Sequence, residues 1–400
     1  MKRGFLAILS LCLAVVIFTA GYNGKKVRVG KMLPAWSEGY LDIHTISTGR
    51  GECIFFILPD GTSIVADVGE FSREGTKYTN VLQRPNAQTR PVQAFGDYIR
   101  HFNPTNAIDY LNISHFHMDH MGNVEPQYER NAEGGYVMTG VTALHHHVPY
   151  VEVIDRAYGA YDSLSVKAMS VKMFAEYKKF LEYHTAKGAI KASRFELGAV
   201  NQFALKHNAA AYPNFRIENV CSNGYVWDNG VMVDVYEGIR DKIRENAASC
   251  GFVIRYGAFD FLTAGDIGDY HDLELKVAKV VGKVEAVKAH HHLSPHSMCL
   301  PSVEVLKPQN IVATSFYNRE IQPDKSKFDY IAQHGCNLFC TSVGEDMLAA
   351  DPESYKKCAE VAGHIVIRVA PGGGQYMVYT LDDTDSKYRV KKIFGPFKCE

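Results

Sequence analysis

Four side chains able to bind a metal ion fall within six residues, His115-Phe116-His117-Met118-Asp119-His120, directly after the short apolar run Tyr110 to Ser114. That run reads as a strand. A tight loop at its end can turn His115 and His117 toward one metal ion. Asp119 and His120 can then face a second ion about 3.5–4 Å away, the separation found in two-metal hydrolytic sites. Imidazole with carboxylate suits zinc, with manganese or iron as alternatives. The fold must therefore end a strand where donors from other loops can converge.

The rest of the pattern supplies such strands. Leu41 to Ile46, Cys53 to Leu58 and Thr62 to Asp67 read as a meander, punctuated by Gly49-Arg50-Gly51 and Pro59-Asp60-Gly61. Val137 to Leu144 reads as a strand ending in His145, His146 and His147. Helical spacing of apolar residues runs from about Val166 to Ala192. Phe252 to Tyr256 and Phe259 to Ala264 form a hairpin pattern around Gly257, followed by a helix over Asp272 to Val281. Val284 to Ala289 is a strand that also ends in three histidines, His290, His291 and His292. Ile311 to Thr314 reads as a strand, Lys325 to Gln333 as a helix, and His364 to Val369 with Gln375 to Leu381 as a closing hairpin. No repeat or domain linker interrupts the chain. Residues 124–246 read as a largely helical insertion that could cap a site or form a dimer contact.

Composition narrows the function. Apolar residues make up 46% and charged residues 22%, an ordinary globular balance. With 43 Lys and Arg against 44 Asp and Glu, the formal charge is -1, which does not favour a nucleic-acid partner, although a local basic cleft stays open.

The His115 to His120 segment resembles the His-x-His-x-Asp-His motif of the metallo-β-lactamase superfamily. Thr62 to Gly69 is similar to that family's early strand ending in Asp and Gly, and implies that Asp67 braces the metal loop from behind. Phe261-Leu262-Thr263-Ala264-Gly265-Asp266 is similar to the later strand whose Asp bridges both metals. Val287 to Ser294 is similar to the strand that delivers the last histidine. Asp266 and His291 are 25 residues apart, room for one crossover helix between parallel strands.

The likeness narrows further. Thr48-Gly49-Arg50-Gly51-Glu52 and Glu245-Asn246-Ala247-Ala248-Ser249 resemble elements of one branch. That branch includes the extracytoplasmic nuclease domain of DNA-uptake channel proteins, and phosphorylcholine esterases. Its last motif, His-His-Gly-Ser, aligns with His291-His292-Leu293-Ser294, with Leu in place of Gly. This makes His291 the ligand and leaves His292 behind it or facing substrate, although the extra His290 leaves the register open by one. Asn246 and His147 join Asp67 and His292 as supporting or substrate-facing residues. His145, His146, His184 and His207 stand as other candidates for a further histidine that many members use. Arg156 could meet an anionic substrate or form a structural salt bridge.

The resemblance covers about Leu41 to Thr314. It implies an α/β fold, a four-layer αββα sandwich, holding two divalent ions on His115, His117, Asp119, His120, Asp266 and His291. A metal-bridged hydroxide, oriented by Asp119 and Asp266, would attack a phosphoester. A lactone, β-lactam or thioester on the same site is the alternative, as is a non-catalytic cell-surface binding protein.

The N-terminus sets the compartment. Lys2 and Arg3 precede a 16-residue apolar run, Phe5 to Ala20, too short to span a bilayer. Residues 1–21 read as a cleavable secretory signal, so that residues 22–400 form one secreted or periplasmic domain with no stable membrane span. An uncleaved anchor is the alternative. Eight cysteines remain after Cys12, an even number that permits disulfides outside the cytoplasm. Cys53 and Cys250 lie in apolar strand patterns and read as buried thiols.

Overall fold

Residues 53–58 show how the layers arise. Their side chains alternate across the strand. Cys53, Phe55 and Ile57 join one buried cluster, while Ile54, Phe56 and Leu58 join another. A strand buried on both faces must be apolar throughout, which is why this stretch shows no polar alternation. The computed structural model describes residues 27–70, 81–161, 171–314 and 322–400. The N-terminal segment read as a secretory signal lies outside the described residues.

The first sheet takes β1 (Leu41–Thr45), β2 (Ile54–Ile57), β3 (Ser63–Ala66), β4 (Ile108–Ile113), β5 (Tyr150–Asp155) and β6 (Lys191–Arg194). The second takes β7 (Phe215–Ser222), β8 (Tyr225–Asp228), β9 (Val231–Asp234), β10 (Gly251–Tyr256), β11 (Phe259–Thr263), β12 (Ala286–Lys288), β13 (Asn310–Ala313) and β14 (Asn337–Cys340). The chain then returns to the first sheet with β15 (His364–Val369), β16 (Gln375–Leu381) and β17 (Val390–Lys398). The strand orders are β17-β16-β15-β1-β2-β3-β4-β5-β6 and β14-β13-β12-β11-β10-β7-β8-β9.

The two sheets face each other across a core in which Ile43, Phe56 and Ile64 meet Phe252, Phe261 and Val312. Phe56 lies with ring centroids 5.9 Å from Phe252 and 6.0 Å from Phe261. Helices α1 (Pro91–Phe102), α2 (Met118–Met121), α3 (Gly140–His147) and α4 (Val171–Ala186) follow strands of the first sheet. Of these, α1, α3 and α4 bury Phe95, Leu144 and Phe180 against its outer face. Helices α5 (Leu273–Val281), α6 (Leu300–Leu306) and α7 (Phe328–Gln333) bury Val277, Val303 and Ile331 against the second. The result is a four-layer αββα sandwich.

Two local expectations are corrected. Val137 to Leu144 is not a strand. Thr139 and Thr142 form a reciprocal capping box that starts α3 at Gly140, and the three histidines end that helix. Residues 124–246 are not largely helical either: besides α3 and α4 they supply β5 and β6 to the first sheet and β7 to β9 to the second. All eight cysteines in the described residues are free thiols, five of them buried. Among the described residues, no helix is long and apolar enough to cross a membrane.

β3 and β4 are parallel neighbours, as are β11 and β12, with α5 as the crossover. Their carboxyl ends therefore lie at one edge of each sheet, where ligands of α/β folds bind. The Cys250 N–H donates to the Ser114 carbonyl across 2.8 Å, which ties the two sheets together at that edge.

Candidate metal centre

The turn after β3 brings Asp67 to φ +63°, a left-handed conformation that aims its carboxylate at the next loop. One oxygen accepts the Ser114 N–H at 2.7 Å. The other lies 2.7 Å from Ser114 Oγ and 2.8 Å from His120 Nδ1. With Nδ1 so engaged, the lone pair of His120 is left on Nε2, turned into the cluster. Gly69 is required beside it: a Cβ there would sit 1.8 Å from the Asp119 carbonyl oxygen. Behind the loop, Glu245 accepts the Phe116 N–H at 2.7 Å and pairs with Arg156 at 2.8 Å. Arg156 is thus the structural salt bridge of the two readings, 1% exposed.

Asp266 enters from the end of β11, past Gly265 at φ +54°, where a Cβ would press on Ser249 and Ser114. Its Oδ2 is the hub of the centre. His120 Nε2 is 3.0 Å away, His292 Nε2 3.5 Å, and His115 Nε2 and His291 Nε2 3.9 Å each. His115 Nε2 and His117 Nδ1 lie 3.1 Å apart on one side. On the other, Asp119 Oδ2 is 3.2 Å from His292 Nε2 and 3.8 Å from His120 Nε2. The donors thus form two groups, His115, His117 and His291, and Asp119, His120 and His292, with Asp266 Oδ2 between them.

His292 is therefore inside the donor cluster, not behind it. Glu52, His120, Asp266 and His292 each offer an atom within 4.8 Å of the others. The reason is the backbone: His291, His292 and Leu293 have φ of +47°, +54° and +60°. Each such residue is strained by about 1–2 kcal/mol, a cost met with at functional sites. This left-handed turn sends successive imidazoles to different partners. His290 goes to Glu274, its Nδ1 2.7 Å from Oε1. His291 goes to Ser294 at 2.9 Å and Asn246 at 3.2 Å. The Nδ1 of His292 donates to the Thr314 carbonyl at 2.6 Å, which frees its Nε2 for the cluster. His290 is thus paired with Glu274, while His291 and His292 turn toward Asp266.

His147 does not join this group. It lies at the C-terminal end of α3 against Gly96 of α1, and its carbonyl accepts from Arg100. His184 meets Tyr136, and the His207 N–H donates to Asp60. Two residues not anticipated sit at the centre. Lys288 Nζ is 2.7 Å from Glu52 Oε2 and 3.4 Å from Asp266 Oδ1, and both side chains of the Lys288–Glu52 pair are 1% exposed. A lysine inside the apolar strand Val284 to Ala289 was the available signal, since a buried ammonium demands a partner.

The charges explain what the cluster wants. Glu52, Asp67 and Asp266 are buried, and Asp119 half-buried, with Lys288 as their buried ammonium. Burial alone would raise the Asp266 carboxyl, but His120, His292 and Lys288 outweigh it and hold it well below the usual range. Burial would likewise lower His120, yet Asp266, Asp67 and Asp119 keep it well above its ordinary value. His115, with burial and two neighbouring imidazoles against it, is held well below. His120 Nε2 and Asp266 Oδ2 are both buried, and beyond their mutual 3.0 Å ion pair neither makes a well-aligned hydrogen bond. An anionic, partly unsatisfied set of imidazoles and carboxylates fits one or more divalent cations.

Strand order, four layers and a His/Asp centre at the carboxyl edge decide the architecture. It is the four-layer αββα sandwich that the sequence resemblance implies. Comparison with solved structures gives human tRNase Z, short form, at 12% identity and TM-score 0.29, covering 80% of this chain and 89% of that one. Zinc-bound PqqB from Methylobacterium extorquens matches at 9% and 0.32, covering 75% and 96%. The hydrolase AbOPH of the beta-lactamase superfamily matches at 10% and 0.30, covering 79% and 90%. No family model and no curated protein matches the chain.

Proposed function

We propose that this chain is an exported, metal-dependent hydrolase acting on phosphoesters. The observation that carries the reading is Asp266 Oδ2, buried where four imidazoles converge, His120 Nε2 at 3.0 Å and His115, His291 and His292 within 3.9 Å. His115, His117 and His291 would hold one divalent ion, and Asp119, His120 and His292 the other, with Asp266 shared. Zinc is the first choice, with manganese or iron as alternatives. When bound, such ions acidify water toward neutral pH and neutralise negative charge that develops on the substrate.

The protein's own residues do the rest. Asp67 and Thr314 fix the tautomers of His120 and His292 through their Nδ1 atoms. Asp119 and Asp266 present carboxylate oxygens inward, where they orient an attacking water. Lys288, paired with Glu52, holds Asp266 through its other carboxylate oxygen. Asn246, with Oδ1 free of a partner and Nδ2 beside His291, is placed to meet substrate. The phosphoester assignment draws on the Thr48 to Glu52 and Glu245 to Ser249 elements, which resemble the nuclease and phosphorylcholine esterase branch. Export draws on residues 1–21.

The test is metal content of the purified protein together with hydrolysis of bis-p-nitrophenyl phosphate. Two equivalents of metal with chelator-sensitive cleavage are expected. Two metals with cleavage of lactones or thioesters but of no phosphoester would overturn the substrate assignment. A protein without metal after careful preparation would overturn the enzyme reading.

A further inference from the structure

Beside the centre lies a cavity of about 640 Å³, within the range that holds a small organic ligand. Its walls come from the segments that adjoin Asn246, Asp266 and His291, with Tyr236. Ala247 lines it and follows Asn246, which touches His291. Tyr270 and His271 line it a few residues beyond Asp266. His296 lines it two residues beyond Ser294, which holds His291 Nδ1. Gly268 closes the gap between these segments, because a Cβ there would meet the His296 carbonyl and the Tyr270 ring.

The lining has a definite chemistry. Two exposed cations, Lys242 and Arg244, line it with one exposed carboxylate, Asp241, and among the described residues neither cation is held in an ion pair. Elsewhere the cations near carboxylates are paired, as Arg240 is with Asp234 at 2.6 Å. Two imidazoles lie against two tyrosine rings. His271 is 4.9 Å from Tyr236 and His296 is 5.4 Å from Tyr270, centroid to centroid. Aromatic faces of this kind take flat rings, and free guanidinium and ammonium groups take oxyanions.

We infer that this cavity holds the non-reacting part of an organic phosphate, with its flat ring against the two tyrosine–histidine pairs and an anionic group on Lys242 and Arg244. The inference deepens the phosphoester reading and rests on it for the reacting bond. It gives the enzyme a preference for aryl or nucleotide-like esters over small alkyl phosphates.

The experiment is calorimetric titration of the metal-loaded protein with adenosine 3′,5′-bisphosphate, which carries a second anionic group, and, separately, with inorganic phosphate. The wild type is expected to bind the bisphosphate at least tenfold more tightly than phosphate. In the double variant K242M/R244M that advantage falls at least tenfold, with metal content and thermal midpoint unchanged. Equal affinity for the two probes in the wild type, or an advantage that survives the double substitution, overturns the inference. Failure of the phosphoester reading looks different. The protein would then leave bis-p-nitrophenyl phosphate intact while still distinguishing adenosine 3′,5′-bisphosphate from phosphate through Lys242 and Arg244.

Discussion

Two triplets of histidine, 145–147 and 290–292, look alike in sequence and end in opposite environments. The first closes helix α3. His145 Nδ1 accepts the Tyr150 N–H at 3.0 Å, and its ring lies 4.5 Å from that of His184. His146 Nε2 lies 3.0 Å from the Tyr136 hydroxyl, which also reaches His184. His147 packs on α1. These partners are neutral, so burial and neighbouring imidazoles push His145 down to about 3. The second triplet sits in a left-handed turn among carboxylates. There His292 is raised by Asp266, Asp119 and Glu52 against the opposing effect of burial. Histidine content therefore says little by itself. Whether carboxylates converge on the rings decides whether they can hold a cation or merely fill a core.

The comparison breaks most sharply at Asp266. Asp266→Asn keeps the shape and removes the charge shared by both donor groups. Metal content is expected to fall by at least one equivalent. The fall in kcat/KM should reach or exceed the about 10²–10³-fold typical of losing one preorganised electrostatic partner. Activity within tenfold of wild type, at full metal content, would show that the carboxylate is not the hub. The next contrast sets one triplet against the other. His292→Ala should lose metal and about 10–100-fold or more in activity, since even residues behind the ligands cost that much. His146→Ala should keep its metal and lose only about 1 kcal/mol of stability, the worth of one hydrogen bond to Tyr136. Equal metal loss in both variants would erase the distinction drawn here.

Much of this was legible beforehand. Helical or strand character was readable wherever one period dominated, and the closing hairpin His364–Val369 and Gln375–Leu381 appears with the expected bounds. The loop of His115 to His120 was readable because its donors are adjacent in the chain. What was hidden depends on contacts between distant segments. Glu52 meets Lys288 from opposite sheets. His292 enters the cluster through three consecutive residues with positive φ, a path that no periodicity announces. Helix α3 was hidden because its apolar run, Val137 to Leu144, suits a strand equally well until Thr139 and Thr142 are seen to cap each other. Strands β6, β8 and β9 carry many exposed or half-buried residues, so their apolar signal is thin, and β7 is buried but includes polar Asn219 and Ser222.

The smallest effect is a pH dependence belonging to the first triplet alone. His145 folds with its pKa depressed to about 3, whereas an unfolded histidine titrates near 6.5. Between those values the unfolded chain binds more protons than the folded one, so stability rises with pH. The contribution is fully present above about 6.5 and is lost as pH falls toward about 3. Because His145 is partly exposed, water screens it, and its slope should stay well under the about 1.4 kcal/mol per pH unit that one group can contribute. His145→Asn retains a side-chain oxygen that can accept the Tyr150 N–H and has nothing to protonate. Thermal midpoints measured between pH 4.5 and 7.5 should therefore fall less steeply toward acid in this variant than in the wild type. The metal should be held saturating in the upper part of that range, and the lower part repeated on chelated protein, so that loss of the ion is not mistaken for this effect. Identical acid profiles for variant and wild type would show that the α3 triplet is as well solvated folded as unfolded, and that burial does not set its chemistry apart from that of the centre.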